Sequence, residues 1–188
     1  MRTRQRVGAG LLVLTLAGGI AACGSDDDDA TDTTEAETTT EQPDEAATVE
    51  VTAVDYDFEG LPDSVEAGTK LSLTNTSDVE LHELVAFALP DGETRSAEEL
   101  FKLPESELGG LFAGEPAMVL LAPPSGGEQI PAVGDGTLSE PGQYVLFCSV
   151  PQGADPEEFL NAPPTDGPPD VEGGPPHFVQ GMYADLTV

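Results

Sequence analysis

Residues 141–148 read PGQYVLFC, a Pro-Gly turn signal followed by an apolar run that ends in a cysteine. An apolar run of this length after turn residues is typical of a buried β-strand. Similar short segments, alternating or continuously apolar, occur at residues 49–53, 70–75, 81–89 and 182–188. Short strands separated by turns predict an all-β sandwich. We therefore expect one domain over residues 49–188.

Several shorter segments refine this pattern. Residues 96–99 read SAEE, a capping box that predicts a short helix near 97–102. One further helical turn is predicted at 155–160. A short strand is expected from Val65 to Gly68, and another at 118–121 inside an otherwise loop-rich region, 104–140.

The chain is strongly acidic, with 36 Asp and Glu against 6 Lys and Arg and a formal net charge of -30. Three of the basic residues lie among the first six positions, so the rest of the chain holds only three. A nucleic-acid-binding protein neutralises phosphates with Lys and Arg, so nucleic acid is not expected as a partner. Such a surface suits either a basic partner or a high-salt habitat, and composition does not separate the two.

The N-terminus has the features of an export signal. Three arginines precede an apolar run, residues 7–22, which is shorter than the roughly 20 residues of a membrane-spanning helix. The run ends in IAAC at 20–23, which resembles the bacterial lipobox. We predict a lipoprotein signal peptide at 1–22 and lipidation at Cys23, which would anchor the exported protein to the membrane, facing outside the cytoplasm. An ordinary secretory signal or an uncleaved anchor is the alternative.

A tether follows the lipidation site. Residues 24–48 contain no aromatic residue and no Val, Ile or Leu, and they include four consecutive aspartates at 26–29. A segment of this composition cannot form a hydrophobic core. We therefore assign residues 23–48 to the lipidated cysteine and an acidic disordered tether.

Four residues of the domain suggest a metal site. If Cys23 is lipidated, Cys148 has no disulfide partner, and the two histidines of the chain are His82 and His177. Met182 follows His177 by five positions. Two imidazoles, a thiolate and a thioether form the donor set of a blue-copper site, since imidazole and sulfur ligands suit copper. Alone, each has an ordinary alternative: a core histidine, a buried inert thiol or a core methionine.

These segments resemble the cupredoxin family, of the plastocyanin and azurin type. The resemblance rests on the turn and strand at 75–82, the strand 141–148 and the segment 177–182, which reads HFVQGM. It implies a cupredoxin-like Greek-key β-sandwich, here with a short helix and long loop insertions. It also implies one mononuclear copper ion held by His82, Cys148, His177 and Met182.

The chain departs from the family pattern in two places. Familiar members place two to four residues between the cysteine and the second histidine, whereas 28 residues intervene here. A surface insertion of this size costs little entropy if its ends stay close together. In addition, the residue after the first ligand is commonly an asparagine that pins the cysteine loop, and here it is Glu83.

The resemblance implies one-electron transfer, with a basic redox partner such as a cytochrome. Two alternatives use the same fold: a surface copper carrier or chaperone, and a metal-free binding or adaptor module that uses the insertions at 91–140 and 152–176. Zinc is disfavoured because methionine is a poor zinc ligand. A Cys–His nucleophile pair is formally available, but nothing points to a substrate cleft or an oxyanion hole. No catalytic residue is predicted, and we do not expect an enzyme.

Overall fold

The computed structural model describes residues 47–163 and 167–188. The predicted signal peptide, the predicted lipidation site Cys23 and the predicted tether as far as residue 46 lie outside the described residues. Among the described residues, no helix combines the length and the apolar character needed to cross a membrane.

Within residues 47–163 and 167–188, nine strands form two sheets. The first sheet has the order β2-β1-β3-β7 and contains β1 (Thr48–Val54), β2 (Asp57–Glu59), β3 (Thr69–Asn75) and β7 (Thr137–Leu138). The second has the order β6-β5-β4-β8-β9 and contains β4 (His82–Ala88), β5 (Met118–Ala122), β6 (Ile130–Val133), β8 (Gln143–Phe147) and β9 (Tyr183–Thr187). The predicted all-β sandwich is confirmed.

The connections cross between the sheets. β1 pairs in parallel with β3, while every pair in the second sheet is antiparallel. The chain leaves the second sheet after β6, forms β7 in the first sheet and returns as β8 beside β4. This return to a non-consecutive neighbour is the Greek-key arrangement.

The main core lies between the sheets. β3 buries every second residue from Thr69 to Asn75, because one face of its sheet packs inward and the other faces solvent. In contrast, β4 and β8 are buried on both faces, which explains their continuous apolar sequences. On the outer face of the second sheet, α1 (Ala97–Leu100) packs through Ala97, and α2 (Glu105–Leu111) leads into Phe112, which packs there as well.

The predicted helices are confirmed. Ser96 caps α1 with both hydrogen bonds of a capping box, and Asp155 caps α3 (Pro156–Asn161) by accepting from the Glu158 N–H. The strand predicted at 118–121 is β5.

Other expectations were wrong. The strand expected from Val65 is absent from the described residues, where a single bridge joins Ser64 to Thr187. The loop-rich region also contains α2 and the strands β6 and β7. A Gly pair inside α2 and the proline in an exposed β6 removed the usual signals of helix and strand.

Candidate metal centre

The first predicted ligand, His82, is the first residue of β4 and follows a turn that side-chain hydrogen bonds hold in place. The side chain of Asn75, the last residue of β3, donates at 2.8 Å to the main-chain carbonyls of both Glu80 and Ala122. His82 itself pairs with Ala122 across the ladder between β4 and β5. A sheet ladder and a buried amide therefore fix its main chain.

The other three predicted ligands lie between β8 and β9. Cys148 directly follows β8, His177 begins a 3₁₀ turn at His177–Gln180, and Met182 directly precedes β9. Main-chain hydrogen bonds tie them together: Phe178 donates to the Cys148 carbonyl at 2.9 Å, Cys148 to that of Met182 at 3.1 Å, and Met182 to that of His177 at 3.2 Å. The three positions form one compact main-chain unit.

The 28-residue insertion leaves this unit intact because its two ends pair with each other. The His177 N–H donates to the Val150 carbonyl at 3.0 Å, Gln152 donates to Pro175 at 3.1 Å, and Gly174 donates to Gln152 at 2.8 Å. Neighbouring Gly173 allows this close approach, since a Cβ there would lie 2.6 Å from the Cβ of Pro151. The insertion is thus a loop closed at its base, and its length does not separate the ligands.

Three donor atoms converge. The Nδ1 atoms of His82 and His177 lie 3.1 Å apart, and the Cys148 Sγ lies 3.3 Å from the His177 Nδ1. One donor atom from each of the three residues lies within 4.8 Å of the others, and all three residues are 0% exposed. This group can hold a metal ion.

Met182 joins the group through its main chain and its burial. It is 0% exposed and belongs to the main hydrophobic core, together with Cys148. Its main-chain bonds to Cys148 and His177 place it beside the three converging donors.

The strand order and the placement of the donors both agree with the cupredoxin resemblance. One donor comes from a strand after a turn tied by asparagine, and the others come from the segment between the last two strands of the same sheet. The described domain has the cupredoxin fold. No protein-family model matches the chain, and no curated protein matches it.

Solved structures similar to this chain include three auracyanins. Dithionite-reduced auracyanin from the photosynthetic bacterium Roseiflexus castenholzii is 20% identical, covering 76% of this chain and 97% of its own, with a TM-score of 0.42. Auracyanin A, a "blue" copper protein from the green thermophilic photosynthetic bacterium Chloroflexus aurantiacus, is 17% identical, covering 77% and 99%, with a TM-score of 0.39. Auracyanin B is 20% identical, covering 76% and 88%, with a TM-score of 0.32.

Glu83 takes the place that the cupredoxin resemblance gives to asparagine, and it pins the cysteine loop in its own way. Its carboxylate accepts from the Ser149 N–H at 2.9 Å and also from the Ser149 hydroxyl. Its own N–H donates to the Cys148 Sγ at 3.4 Å. Burial raises the pKa of this carboxyl, and the Ser149 hydrogen bonds oppose that rise. The chain thus retains the tie between the first ligand and the cysteine loop with a different side chain.

A second group of side chains holds the loop ligands from the outer face of the sheet. Phe147 precedes Cys148 and Phe178 follows His177, and the ring of Phe101 packs on both, with centroids 5.3 Å and 4.7 Å away. We call the six neighbouring rings the aromatic cluster: Phe87, Phe101, Phe112, Phe147, Phe178 and Tyr183. Phe101 and Phe112 come from the 91–140 insertion, so this region supports the ligand loop.

Burial sets the charge state of the donors. It lowers the pKa of His82, against the opposing effect of Asp55. It lowers the pKa of His177 to about 4, and the neighbouring His82 adds to this shift. Burial also raises the pKa of the Cys148 thiol well above its usual value, and Glu83 adds to the rise. At neutral pH the metal-free group therefore consists of two neutral imidazoles and a thiol.

The imidazoles are arranged as a cation site requires. The His82 Nε2 lies 2.8 Å from the Asp55 Oδ1. Because a carboxylate only accepts, this nitrogen carries the proton and the His82 Nδ1 presents a lone pair. The His177 Nε2 has no hydrogen-bond partner among the described residues and lies 3.5 Å from the Glu80 Oε2.

Neither neutral tautomer of His177 gives both ring nitrogens a favourable neighbour. With the proton on Nε2, its Nδ1 lone pair faces that of His82 at 3.1 Å. With the proton on Nδ1, its bare Nε2 faces a carboxylate oxygen instead. A cation between the two Nδ1 atoms and the sulfur removes this conflict, since both lone pairs then point at positive charge. The donor set of two imidazoles, one thiolate and a nearby thioether fits one mononuclear copper ion of the blue-copper type.

Asp55, Glu80 and Tyr56 were not predicted from the sequence as parts of this site. The Tyr56 ring packs against His177 with centroids 4.7 Å apart and against His82 at 6.3 Å. Acidic residues number 36 in this chain, so no sequence signal distinguishes the two that reach the imidazoles.

Proposed function

We propose that this chain is an extracytoplasmic copper protein that carries single electrons, anchored to the membrane through Cys23. The observation that carries the proposal is the convergence of the two Nδ1 atoms and the Cys148 Sγ in a fully buried group. Each residue alone is ambiguous, but the approach of their donor atoms to 3.1–3.3 Å inside the protein suits ligands of one ion.

We assign the ligand roles as follows. Cys148 supplies the main electronic coupling, His82 and His177 supply two nitrogen donors, and Met182 supplies a weak fourth donor. A copper ion bound there supplies reversible exchange of one electron between Cu(II) and Cu(I). The chain contributes a soft thiolate for the reduced state and imidazoles that suit both states.

Rigidity and exclusion of water support electron transfer over copper delivery. A carrier that loads and releases copper needs an open site, whereas all four proposed ligands are 0% exposed. The sheet ladder, the Glu83–Ser149 tie and the aromatic cluster hold the donors from three sides. A site held in one arrangement needs little rearrangement when the charge of its ion changes. Slow copper loss to a competing chelator, over hours, is the expected result, and loss within seconds would favour a copper carrier instead.

The setting of the protein belongs to the same proposal. The lipobox-like sequence at 20–23 supports export and lipidation, and the acidic segment that follows would act as a tether. The acidic surface would attract a basic redox partner such as a cytochrome at moderate salt. Metabolic labelling with a radioactive fatty acid tests the anchor, and Cys23→Ser should remove both the label and the membrane association.

Titration of the purified protein with Cu(II) tests the proposed function. We expect one equivalent to bind and to produce an intense blue or green thiolate-to-copper charge-transfer band. Met182→Leu should keep the copper but shift the spectrum and the reduction potential, because only the weak donor is lost. A colourless protein that binds no copper would contradict the proposal and favour a metal-free adaptor.

A further inference from the structure

The two imidazoles of the proposed centre share an unusual surrounding: each points its Nε2 away from the converging donors and toward a carboxylate. The His82 Nε2 lies 2.8 Å from the Asp55 Oδ1, and the His177 Nε2 lies 3.5 Å from the Glu80 Oε2. Both imidazoles are 0% exposed, while the Glu80 side chain is 12% exposed and the Asp55 side chain 42%, so water reaches the Asp55 carboxylate but not the imidazole nitrogens.

The two carboxylates are held in place by other groups. The Asp55 Oδ2 accepts from the Ser77 hydroxyl at 3.3 Å, and the same hydroxyl accepts from the Glu80 N–H at 3.0 Å. The Glu80 carboxylate accepts from the Gly153 N–H at 3.0–3.2 Å and lies 3.5 Å from the Tyr56 hydroxyl. Through Gly153, Glu80 also reaches the start of the long insertion. The positions of these two side chains are therefore determined by the fold.

A carboxylate on the remote nitrogen of a ligating imidazole has two effects. It fixes the proton on that nitrogen, which leaves the other nitrogen free to bind the metal, and it makes the imidazole a stronger donor. It also places a negative charge close to the ion. Because the interaction with this charge grows with the charge of the ion, Cu(II) is stabilised more than Cu(I).

We propose that Asp55 and Glu80 are positioning residues that fix the tautomers of His82 and His177 and bias the centre toward the oxidised ion. The proposal rests on the proposed copper function for its redox part. Its tautomer part concerns the metal-free protein as well.

Reduction potentials of the copper-loaded protein test the redox part. Asp55→Asn and Glu80→Gln each remove one charge while keeping an acceptor oxygen. Each should shift the ratio of Cu(II) to Cu(I) affinity toward Cu(I) by about tenfold, which corresponds to about 59 mV for a one-electron couple. Asp55 makes the shorter contact, whereas the charge of the less exposed Glu80 is screened less by water, so we expect the two shifts to be of similar size.

Asp78→Asn is the matched control. Asp78 lies in the same turn as Glu80 and, like Asp55, is exposed to solvent. Its substitution removes the same charge without removing an imidazole contact, so we expect less than a twofold change in that ratio. Equal shifts in all three variants would mean that only the general field of the surface acts, and no shift in Asp55→Asn or Glu80→Gln would overturn the redox part.

Nitrogen NMR of the histidines in the metal-free protein tests the tautomer part independently of copper. His82 should carry its proton on Nε2 in the wild-type protein and in Asp55→Asn. In Asp55→Ala, which has no acceptor, it should populate both tautomers. An unchanged tautomer in Asp55→Ala would overturn this part. A wild-type protein that binds no copper would refute the proposed function while leaving this measurement valid.

Discussion

The two halves of the candidate centre are held in different ways. His82 lies on β4, where the ladder to β5 and the side chain of Asn75 fix its main chain. Cys148, His177 and Met182 lie on a segment interrupted by 28 residues, where short main-chain bonds replace a continuous strand. The first half, which we call the strand half, depends on the sheet. The second, which we call the loop half, depends on contacts between loops.

The difference shows how an interrupted loop keeps its geometry. Glu80 and Glu83, which flank the first half, reach across to Gly153 and Ser149 at the start of the insertion. From the opposite face of the sheet, Phe101 packs on the neighbours of Cys148 and His177. Side chains beside the strand half thus hold the loop half in position. Each of these contacts can be removed separately by substitution.

The largest effect is expected when the loop half loses its thiol. Cys148→Ser removes the sulfur donor without changing the size of the side chain much. Because the charge-transfer band requires a thiolate bound to copper, we expect the band to disappear completely in the visible spectrum of the loaded protein. A variant that keeps the colour would show that sulfur from this residue is not a ligand. Unchanged far-UV circular dichroism serves as the control for folding.

The second-largest effect is expected when the Phe101 ring, which packs on the neighbours of the loop ligands, is removed. Phe101→Ala takes away contacts with Phe147 and Phe178, and we expect a loss of about 2–4 kcal/mol in the free energy of unfolding. Urea unfolding of the metal-free protein measures this loss, and faster copper release to a chelator should accompany it. Val79→Ala, at a side chain 71% exposed, is the control and should change stability by less than about 0.5 kcal/mol. Lower stability with unchanged copper release would separate the aromatic cluster from the centre.

Loss of the hydrogen bonds from Ser149 to Glu83 should lower the free energy of unfolding by a somewhat smaller amount. Glu83→Ala leaves the Ser149 N–H and hydroxyl without their acceptor in a largely buried place, which costs about 1–3 kcal/mol. Glu83→Gln keeps an acceptor oxygen and should recover much of this loss. Urea unfolding of both variants is the measurement. Equal stabilities for the two variants would show that the hydrogen bonds to Ser149 do not hold the loop.

The smallest net effect is expected from pH. Because the pKa of His177 is lowered from 6.5 to about 4 in the folded metal-free protein, the unfolded chain binds the proton first as the pH falls. The free energy of unfolding should therefore decrease between about pH 6.5 and 4, partly offset as carboxylates are protonated and surface repulsion declines. Urea unfolding at several pH values measures the slope, and His177→Gln should make it shallower. Identical slopes would contradict the lowered pKa.

The sequence predicts the strand half better than the loop half. The apolar runs around β4 and β8 identify central strands because both faces of these strands are buried, and Asn75 marks the turn before His82. The convergence of His82, Cys148 and His177 could be predicted because histidine and cysteine are rare in this chain, so few combinations exist.

The contacts between the halves could not be predicted in the same way. Glu80 and Asp55 are two among 36 acidic residues, and only tertiary structure brings them to the imidazoles. Likewise, Phe101 follows a predicted helix, but nothing local shows that its ring packs beside Phe178. Long-range pairing of this kind leaves no periodic signal in the sequence.

X-ray absorption at the copper edge of the loaded protein tests the central claim most directly. We predict one sulfur at short distance and two imidazole nitrogens around a single copper ion, with little change between the oxidised and reduced protein. A copper ion surrounded only by nitrogen and oxygen, or by fewer than two imidazoles, would contradict a centre built from His82, His177 and Cys148.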